Sequence, residues 1–193
     1  MRSVGTKAAH FTPVKRHLRF WLFLALCGLP LQCATLERLS LGDMIARSTA
    51  IVRGTVTGST AAFSGPAIYT HYSIQVTEQL KGTAGGTLDV VLPGGAVQNL
   101  RQTFAGVPAL NPGGDYVFFL FTGKSGMTTI IGLTQGLFTL APDPSGDPTA
   151  TRTASRELML DPATGRPVKD DTLVMKLSGL RAQIAAGLKG APK

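Results

Sequence analysis

The clearest pattern in the chain is an alternation of apolar and polar residues between Ile68 and Leu80. One face of this segment carries Tyr72, Ile74, Val76 and Leu80, and the other carries His71, Ser73, Gln75, Thr77 and Gln79. A period of two residues over this length predicts a half-buried antiparallel strand.

Two shorter segments, one on either side, predict further strands. Ala50–Gly58 is rich in β-branched residues, and Leu88, Val90 and Leu92 mark the inward face of another strand. Between the first and second strands, Ser59–Pro66 consists mostly of small residues and predicts a flexible loop.

The second half of the chain contributes a fourth and a fifth predicted strand. Tyr116–Phe121 is apolar on both faces, which predicts a central strand covered from both sides. A fifth strand is expected over Thr128–Leu140, where Gly132 and Gly136 suggest a bulge or a sharp bend. Gly95–Pro112 is irregular and long for a loop, so we expect it to hold a short helix or to be a functional loop.

Two helices flank these strands. Ser40 and Asp43 have the spacing of a capping box, and the short helix that they begin should end near Ser48. A second helix should follow a cap at Asp171 or Thr172. Its apolar residues recur at helical spacing and are Leu173, Leu177, Leu180, Ile184 and Leu188. We expect this stripe to cover the two-faced apolar strand; a partner or a membrane surface is the alternative.

The first 34 residues have the features of a secretory signal peptide. Five basic residues and no acidic residue precede an apolar run from Phe20 to Leu31. This run is shorter than the roughly 20 residues that a spanning helix needs. We therefore predict cleavage near Ala34 and a secreted or periplasmic location, with a retained anchor as the alternative.

Removing this leader changes the composition of the 193-residue chain. The formal net charge falls from +8 to +3, because five of the 19 Lys and Arg residues precede residue 35. Both cysteines and the single Trp lie there too. So do His10 and His17, which leaves His71 as the remaining histidine. This composition argues against nucleic-acid binding, disulfides and a zinc site, and after cleavage we expect no stable membrane insertion.

The five predicted strands have the order of an OB-type barrel. The matching segments are Ile51-Val52-Arg53-Gly54-Thr55-Val56, Ile74–Gly82 with its ending Leu80-Lys81-Gly82, Leu88-Asp89-Val90-Val91 and Pro112-Gly113-Gly114-Asp115-Tyr116. Over residues 36–140 the chain resembles the netrin-like module, the fold of the N-terminal domain of tissue inhibitors of metalloproteases. The resemblance implies a mainly β fold: a five-stranded OB-like (netrin-like) barrel with a short N-terminal helix and a C-terminal amphipathic helix.

A second resemblance is to a family of uncharacterised secreted bacterial proteins. Ala34–Leu41 (Ala-Thr-Leu-Glu-Arg-Leu-Ser-Leu) and Gly132–Phe138 (Gly-Leu-Thr-Gln-Gly-Leu-Phe) carry it. It implies no activity. Metalloprotease inhibition is not expected either, because that mechanism uses a mature N-terminal cysteine held by disulfides, and no cysteine follows Cys33.

These observations divide the chain into three parts. Residues 1–34 are the signal peptide, and residues 35–141 form the OB-like domain. Residues 142–193 hold an extra hairpin or loop and the C-terminal helix, which packs on the barrel. In this last part Arg156–Leu160 predicts a short strand, followed by a turn over Asp161–Gly165.

No catalytic, cofactor-binding or metal-binding residues are predicted, and no cofactor is expected. Gly123-Lys124-Ser125 lacks the glycine that a phosphate-binding loop needs at position 118, and so predicts a turn. His71 lies on the polar face of a strand, and no nucleophile motif accompanies it. The acids of the last part predict turns and a helix cap and are Asp143, Asp147, Asp161, Asp170 and Asp171.

The sequence therefore favours an exported, non-enzymatic binding protein. We expect its partner to be another envelope or extracellular protein, held through the Ser59–Pro66 and Gly95–Pro112 loops, as OB-type barrels bind through loops and strands. The alternatives are an enzyme that acts on an envelope polymer with loop carboxylates, or a carbohydrate-binding module.

Overall fold

The computed structural model describes residues 35–190, so the predicted leader lies outside the described residues. The strands are β1 Thr35–Glu37, β2 Ala50–Ser64, β3 Ala67–Lys81, β4 Thr87–Pro93, β5 Gly95–Val97, β6 Leu100–Gln102, β7 Asp115–Thr122, β8 Thr128–Ile130, β9 Leu137–Ala141, β10 Thr149–Arg152, β11 Leu158–Leu160, β12 Pro167–Val168 and β13 Leu173–Lys176. The helices are α1 Leu41–Arg47 and α2 Leu177–Gly190. The fold is mainly β, as predicted.

One large antiparallel sheet organises the molecule. Its strand order is β13-β10-β9-β7-β2-β3-β4, and β8 pairs with β7 beside this path. A small sheet joins β1, β11 and β12, with β1 parallel to β11. The β5–β6 hairpin forms a third, two-stranded unit. No helix of residues 35–190 has both the length and the apolar character needed to span a membrane.

The prediction of a closed five-stranded barrel is wrong. Within residues 35–190 no pairing connects β4, at one end of the large sheet, to another strand besides β3. The edge of β9 that is not paired with β7 is instead paired with β10, a strand that the sequence analysis did not predict. Because a strand has two hydrogen-bonding edges, β9 has none left to close the sheet.

The predicted fifth strand is broken into two. A 3-10 turn over Leu133–Gly136 separates β8 from β9, and Gly132 begins it in the left-handed conformation with φ of 61°. The turn buries Gln135, whose side-chain oxygen accepts a hydrogen bond from the Leu39 backbone N–H at 2.8 Å. Its amide nitrogen donates to the Glu37 carbonyl at 2.9 Å. The bend at the glycines was predicted correctly, but the continuous strand was not.

Strand β7 is buried on both faces, as its sequence predicts. One face joins the helix-side core, formed by Leu39, Met44, Ile45, Ile51, Val117, Phe119, Phe138, Leu140, Ala150, Leu177, Leu180 and Ile184. The other joins the sheet-side core, formed by Val52, Val56, Ile74, Val90, Leu92, Leu110, Tyr116, Phe118, Leu120, Ile130 and Leu137. Helices α1 and α2 therefore cover one face, and the curved sheet covers the other.

Helix α1 has the predicted capping box. The Asp43 backbone N–H donates to Ser40 Oγ at 3.0 Å, and the Ser40 backbone N–H donates to Asp43 Oδ2 at 3.0 Å. At the other end of the helix, Lys81 Nζ donates to the carbonyls of Ile45 and Ala46 at 2.6 and 3.1 Å. Both ends are therefore satisfied by side chains, which matters in a helix of two turns.

Helix α2 begins later than predicted, at Leu177. The preceding residues Leu173–Lys176 form β13, which pairs with β10. The alternation of buried and exposed side chains explains why these residues form a strand and not the first turn of the helix. Leu173 and Met175 pack against the helix-side core, whereas Val174 is 62% exposed. A period of two residues suits a strand and not a helix turn. Asp147, from the loop before β10, accepts hydrogen bonds from the backbone and hydroxyl of Ser178.

A buried ion pair fixes the segment between β10 and β13. Arg152 Nη2 lies 2.6 Å from Asp170 Oδ1, and the two side chains are 4% and 1% exposed. Arg152 also donates to the Asp171 carbonyl, and Asp170 accepts from the Ser155 backbone N–H. Arg152 Nε has no hydrogen-bond partner in the described part of the chain. The predicted hairpin around this segment is confirmed as β11 and β12, with its turn at residues 161–165.

Candidate functional site

The structure brings the two predicted binding segments into contact. Ser59–Pro66 is not the predicted loop; most of it extends β2, so that β2 and β3 form a hairpin with its turn at Gly65 and Pro66. Gln102, in β6, anchors the β5–β6 hairpin to this arm. Its Oε1 accepts from the Ile68 backbone N–H at 2.5 Å, and its Nε2 donates to the Pro66 carbonyl at 3.3 Å.

A glycine permits the close approach of the two hairpins. Gly95 has φ of 139°, and a Cβ there would lie 2.5 Å from Thr70 Oγ1 and 3.0 Å from the Ala61 Cβ. Real side chains do not reach such distances, so position 95 has space for glycine alone. Beside it, Thr70 Oγ1 donates to the Gly94 carbonyl at 2.7 Å. The hairpin is thus docked by backbone contact and by a buried hydroxyl.

A cavity of about 320 Å³ lies between the ends of β3 and β4, the β5–β6 hairpin and the loop that follows it. We call it the distal groove; the lining residues used below are Thr70, Tyr72, Leu92, Arg101, Phe104 and Val107. Its floor belongs to the protein interior, since Leu92 is 1% exposed and Tyr72 and Val107 pack on the sheet-side core. Its volume is in the range of small-ligand sites.

The groove carries one kind of charge. Arg101 is exposed, and it is the one charged residue among the described residues that line the cavity. It belongs to none of the ion pairs formed within residues 35–190. Burial raises the pKa of the Tyr72 phenol above its ordinary value, and Tyr116 adds to the rise. The Tyr72 hydroxyl is therefore neutral at physiological pH.

Large apolar side chains are exposed on these two segments. Phe63 in the β2–β3 arm is 48% exposed, Leu100 in β6 is 60% exposed, and Phe104 in the following loop is 46% exposed. Exposed apolar side chains gathered on neighbouring segments are typical of interaction sites, whereas single ones are common on any surface. These residues make the end of the two hairpins the best candidate for a binding surface.

Two other cavities, of about 440 and 480 Å³, have charged walls, and most of their charged groups already have partners. The exceptions within residues 35–190 are Arg38 and the Asp171 carboxylate, both in the first cavity. In the first, the Asp43 carboxylate is held by Ser40, and Asp161 accepts from Thr164. In the second, Arg53 binds both oxygens of Asp115. These hydrogen bonds lower the pKa of Asp43 and of Asp161 and raise that of Arg53. These partnered groups serve the fold.

The residues that the sequence analysis considered for chemistry lie apart from the groove lining. His71 is an exposed strand residue, as predicted, and its Nδ1 lies 2.8 Å from Asp89 Oδ2. Gly123-Lys124-Ser125 forms the turn between β7 and β8, as predicted. Within the described ranges no group of three or more His, Cys, Asp and Glu side chains has a metal-binding arrangement.

The scattered acids occupy turns and ion pairs. Asp143 pairs with Lys176 and accepts from Ser145, and these contacts hold the pKa of its carboxyl well below its usual range, Lys176 most strongly. Asp161 forms the predicted turn, and Asp147 caps the start of α2 through Ser178. The burial of Asp170 against Arg152 was not predicted, because nothing in the local sequence indicates a partner 18 residues away.

Of the two segments predicted to bind, Gly95–Pro112 lines the groove, whereas Ser59–Pro66 lies outside the lining and contacts the β5–β6 hairpin. Thr70, Arg101, Gln102 and Phe104 were missed, although the paired glycines Gly94 and Gly95 were a usable sign of close backbone approach. The chain matches no protein-family model and no curated protein sequence. The functional proposal therefore rests on the distal groove itself.

Proposed function

We propose that this protein is an exported, non-enzymatic binding protein that holds a segment of another envelope or extracellular protein in the distal groove. One observation carries the proposal: the Gly95–Pro112 segment lines a cavity and contacts the Ser59–Pro66 segment, and Phe63, Leu100 and Phe104 on these two segments are exposed. Protein partners favour sites with aromatic side chains around a groove of this kind.

The arrangement of strands supports the same proposal. We infer that β2, β3, β4, β7 and β9 correspond to the five strands of an OB-type, netrin-like fold in an open form. OB-type folds bind through the face of their second and third strands and through adjoining loops. The distal groove lies at β3 and β4, the second and third of these strands, and at the loop that follows them.

Site-specific photo-crosslinking tests this function. A photo-reactive amino acid replaces Phe104 in the full chain, which is expressed with its leader in the producing cell. Val174 is the matched control position, because it is 62% exposed and lies in β13, outside the groove lining. We expect a discrete protein adduct from position 104 and none from position 174.

Three results would overturn the proposal. Equal adducts from both positions would show non-specific contact, and adducts that contain only glycan would indicate a carbohydrate-binding module. Turnover of a purified envelope polymer, lost on substitution of a loop acid such as Asp171, would establish the enzymatic alternative instead.

A further inference from the structure

We propose that the segment held in the distal groove presents a carboxylate beside an apolar side chain, and that Arg101 binds this carboxylate. The inference rests on the proposed function and names the chemistry of its ligand. It follows from the contrast between the single charge at the groove and its otherwise apolar and neutral walls.

Arg101 has no acidic neighbour among the described residues of the groove lining. The acids of the described chain lie outside the groove lining, so no carboxylate of the lining competes with a ligand for this guanidinium. A guanidinium has a planar fork of donors that matches a carboxylate in a two-point contact. The neighbouring residue Gln102 is fixed to Ile68 and Pro66, which holds this part of β6 in place before a ligand binds.

The groove also has an apolar wall. Val107, Tyr72 and Phe104 offer a partly exposed wall that an aliphatic or aromatic side chain can cover. Leu92, which is 1% exposed, connects this wall with the sheet-side core. Such burial supplies most of the binding free energy in small sites, while one polar group fixes orientation. Arg101 is suited to the second role, because it is exposed and carries charge at the edge of an apolar surface.

The test uses two pairs of short peptides and the full chain. The first pair is acetyl-Leu-Phe-Asp-amide and acetyl-Leu-Phe-Asn-amide, which differ in a side-chain carboxylate. The second pair is acetyl-Leu-Phe with a free C-terminus and its C-terminal amide. Affinities are measured by NMR titration to about 10 mM peptide, a range that detects millimolar dissociation constants.

We expect the carboxylate member of at least one pair to bind about fivefold more tightly, as a partly exposed charged hydrogen bond should give. The pair that shows the preference identifies an acidic side chain or a chain terminus as the source. Arg101→Gln should abolish the preference, and Arg156→Gln, at another exposed arginine, should preserve it. Added salt should weaken it.

The outcomes separate this inference from the proposed function. Equal affinity within both pairs, or a preference that survives Arg101→Gln, overturns the carboxylate assignment. If Phe104 still crosslinks a protein partner in that case, the binding function stands without it. Absence of peptide binding at these concentrations also overturns the inference, and tighter binding of inorganic phosphate than of either acid peptide would replace it with a phosphate site.

Discussion

The two faces of β7 pack against cores that differ in how they are closed to solvent. On the helix side, α1 and α2 close an apolar core, and side chains such as Lys81 and Gln135 satisfy the backbone groups at its boundary. On the sheet side, the core continues to the distal groove, where a hairpin is docked through Gly95 and Phe104 remains half exposed. The difference separates a closed, packed core from the groove that we propose for binding.

The largest expected effect tests the helix-side core. Phe119 is fully buried, and its ring centroid lies 5.8 Å from that of Phe138. Phe119→Ala should lower the free energy of unfolding by about 3–5 kcal/mol, because it removes apolar contact and leaves a cavity. Phe104→Ala, at a position that is 46% exposed, should change it by about 0.5 kcal/mol or less. Urea denaturation of both variants measures the contrast, and similar losses would contradict it.

The next effect concerns the buried ion pair. Arg152→Met leaves the Asp170 carboxylate buried without its charged partner, so the free energy of unfolding should fall by about 3 kcal/mol. The control is Arg47→Met, which breaks the pair with Glu37, where the side chains are 50% and 47% exposed. This change should cost at most about 1 kcal/mol. If Asp170→Leu in the Arg152→Met background restores no stability, the loss did not come from the unpaired charge.

A smaller effect is expected at the groove. Gly95→Ala places a methyl group against Thr70 and Ala61 in a strained backbone conformation, at a cost of about 2 kcal/mol. Gly65→Ala, with φ of 61° and no neighbour within 4 Å, should cost about 1 kcal/mol through strain alone. Hydrogen exchange should show lost protection in β5 and β6 for Gly95→Ala only. Unchanged exchange there would separate Gly95 from the docking of the hairpin.

The smallest expected effect is the decrease in the free energy of unfolding at acidic pH. Lys176, Ser178 and Thr164 lower the carboxyl pKa values of Asp143, Asp147 and Asp161 respectively. The unfolded chain therefore binds these protons more tightly, so the stability that the carboxylates contribute is present at neutral pH and is lost as the pH falls below about 4.

This acid response should distinguish the two regions. These three acids lie in the segment from β9 to α2, whereas the groove lining contains no acid among the described residues. Hydrogen exchange at falling pH should thus show earlier loosening near β10 and β13 than near β5 and β6. Asp143→Asn should reduce the loss of exchange protection near β10 and β13 at low pH. Asp171→Asn, at an exposed position, is the control and should leave this loss unchanged. Earlier loosening of β5 and β6 would contradict this assignment.

The parts of the fold that the sequence predicted are those that depend on neighbouring residues. The capping box of α1, the alternation of β3 and the two apolar faces of β7 are local patterns, and each is confirmed. Each pattern predicts which face of a helix or strand is buried, and this prediction does not depend on which other element covers that face. The covering of β7 by α2 was also predicted, because a two-faced apolar strand requires a second layer.

Contacts between distant residues were decided by the tertiary structure. The pairing of β10 with β9 kept the sheet open, and Leu173–Lys176 became a strand because β10 offered it an edge. The groove depends on Gln102 reaching Ile68, 34 residues away, and on Gly95 facing Thr70. Local patterns determine which surfaces are apolar, but the choice among possible partners for a strand edge or a side chain is settled only when the whole chain packs.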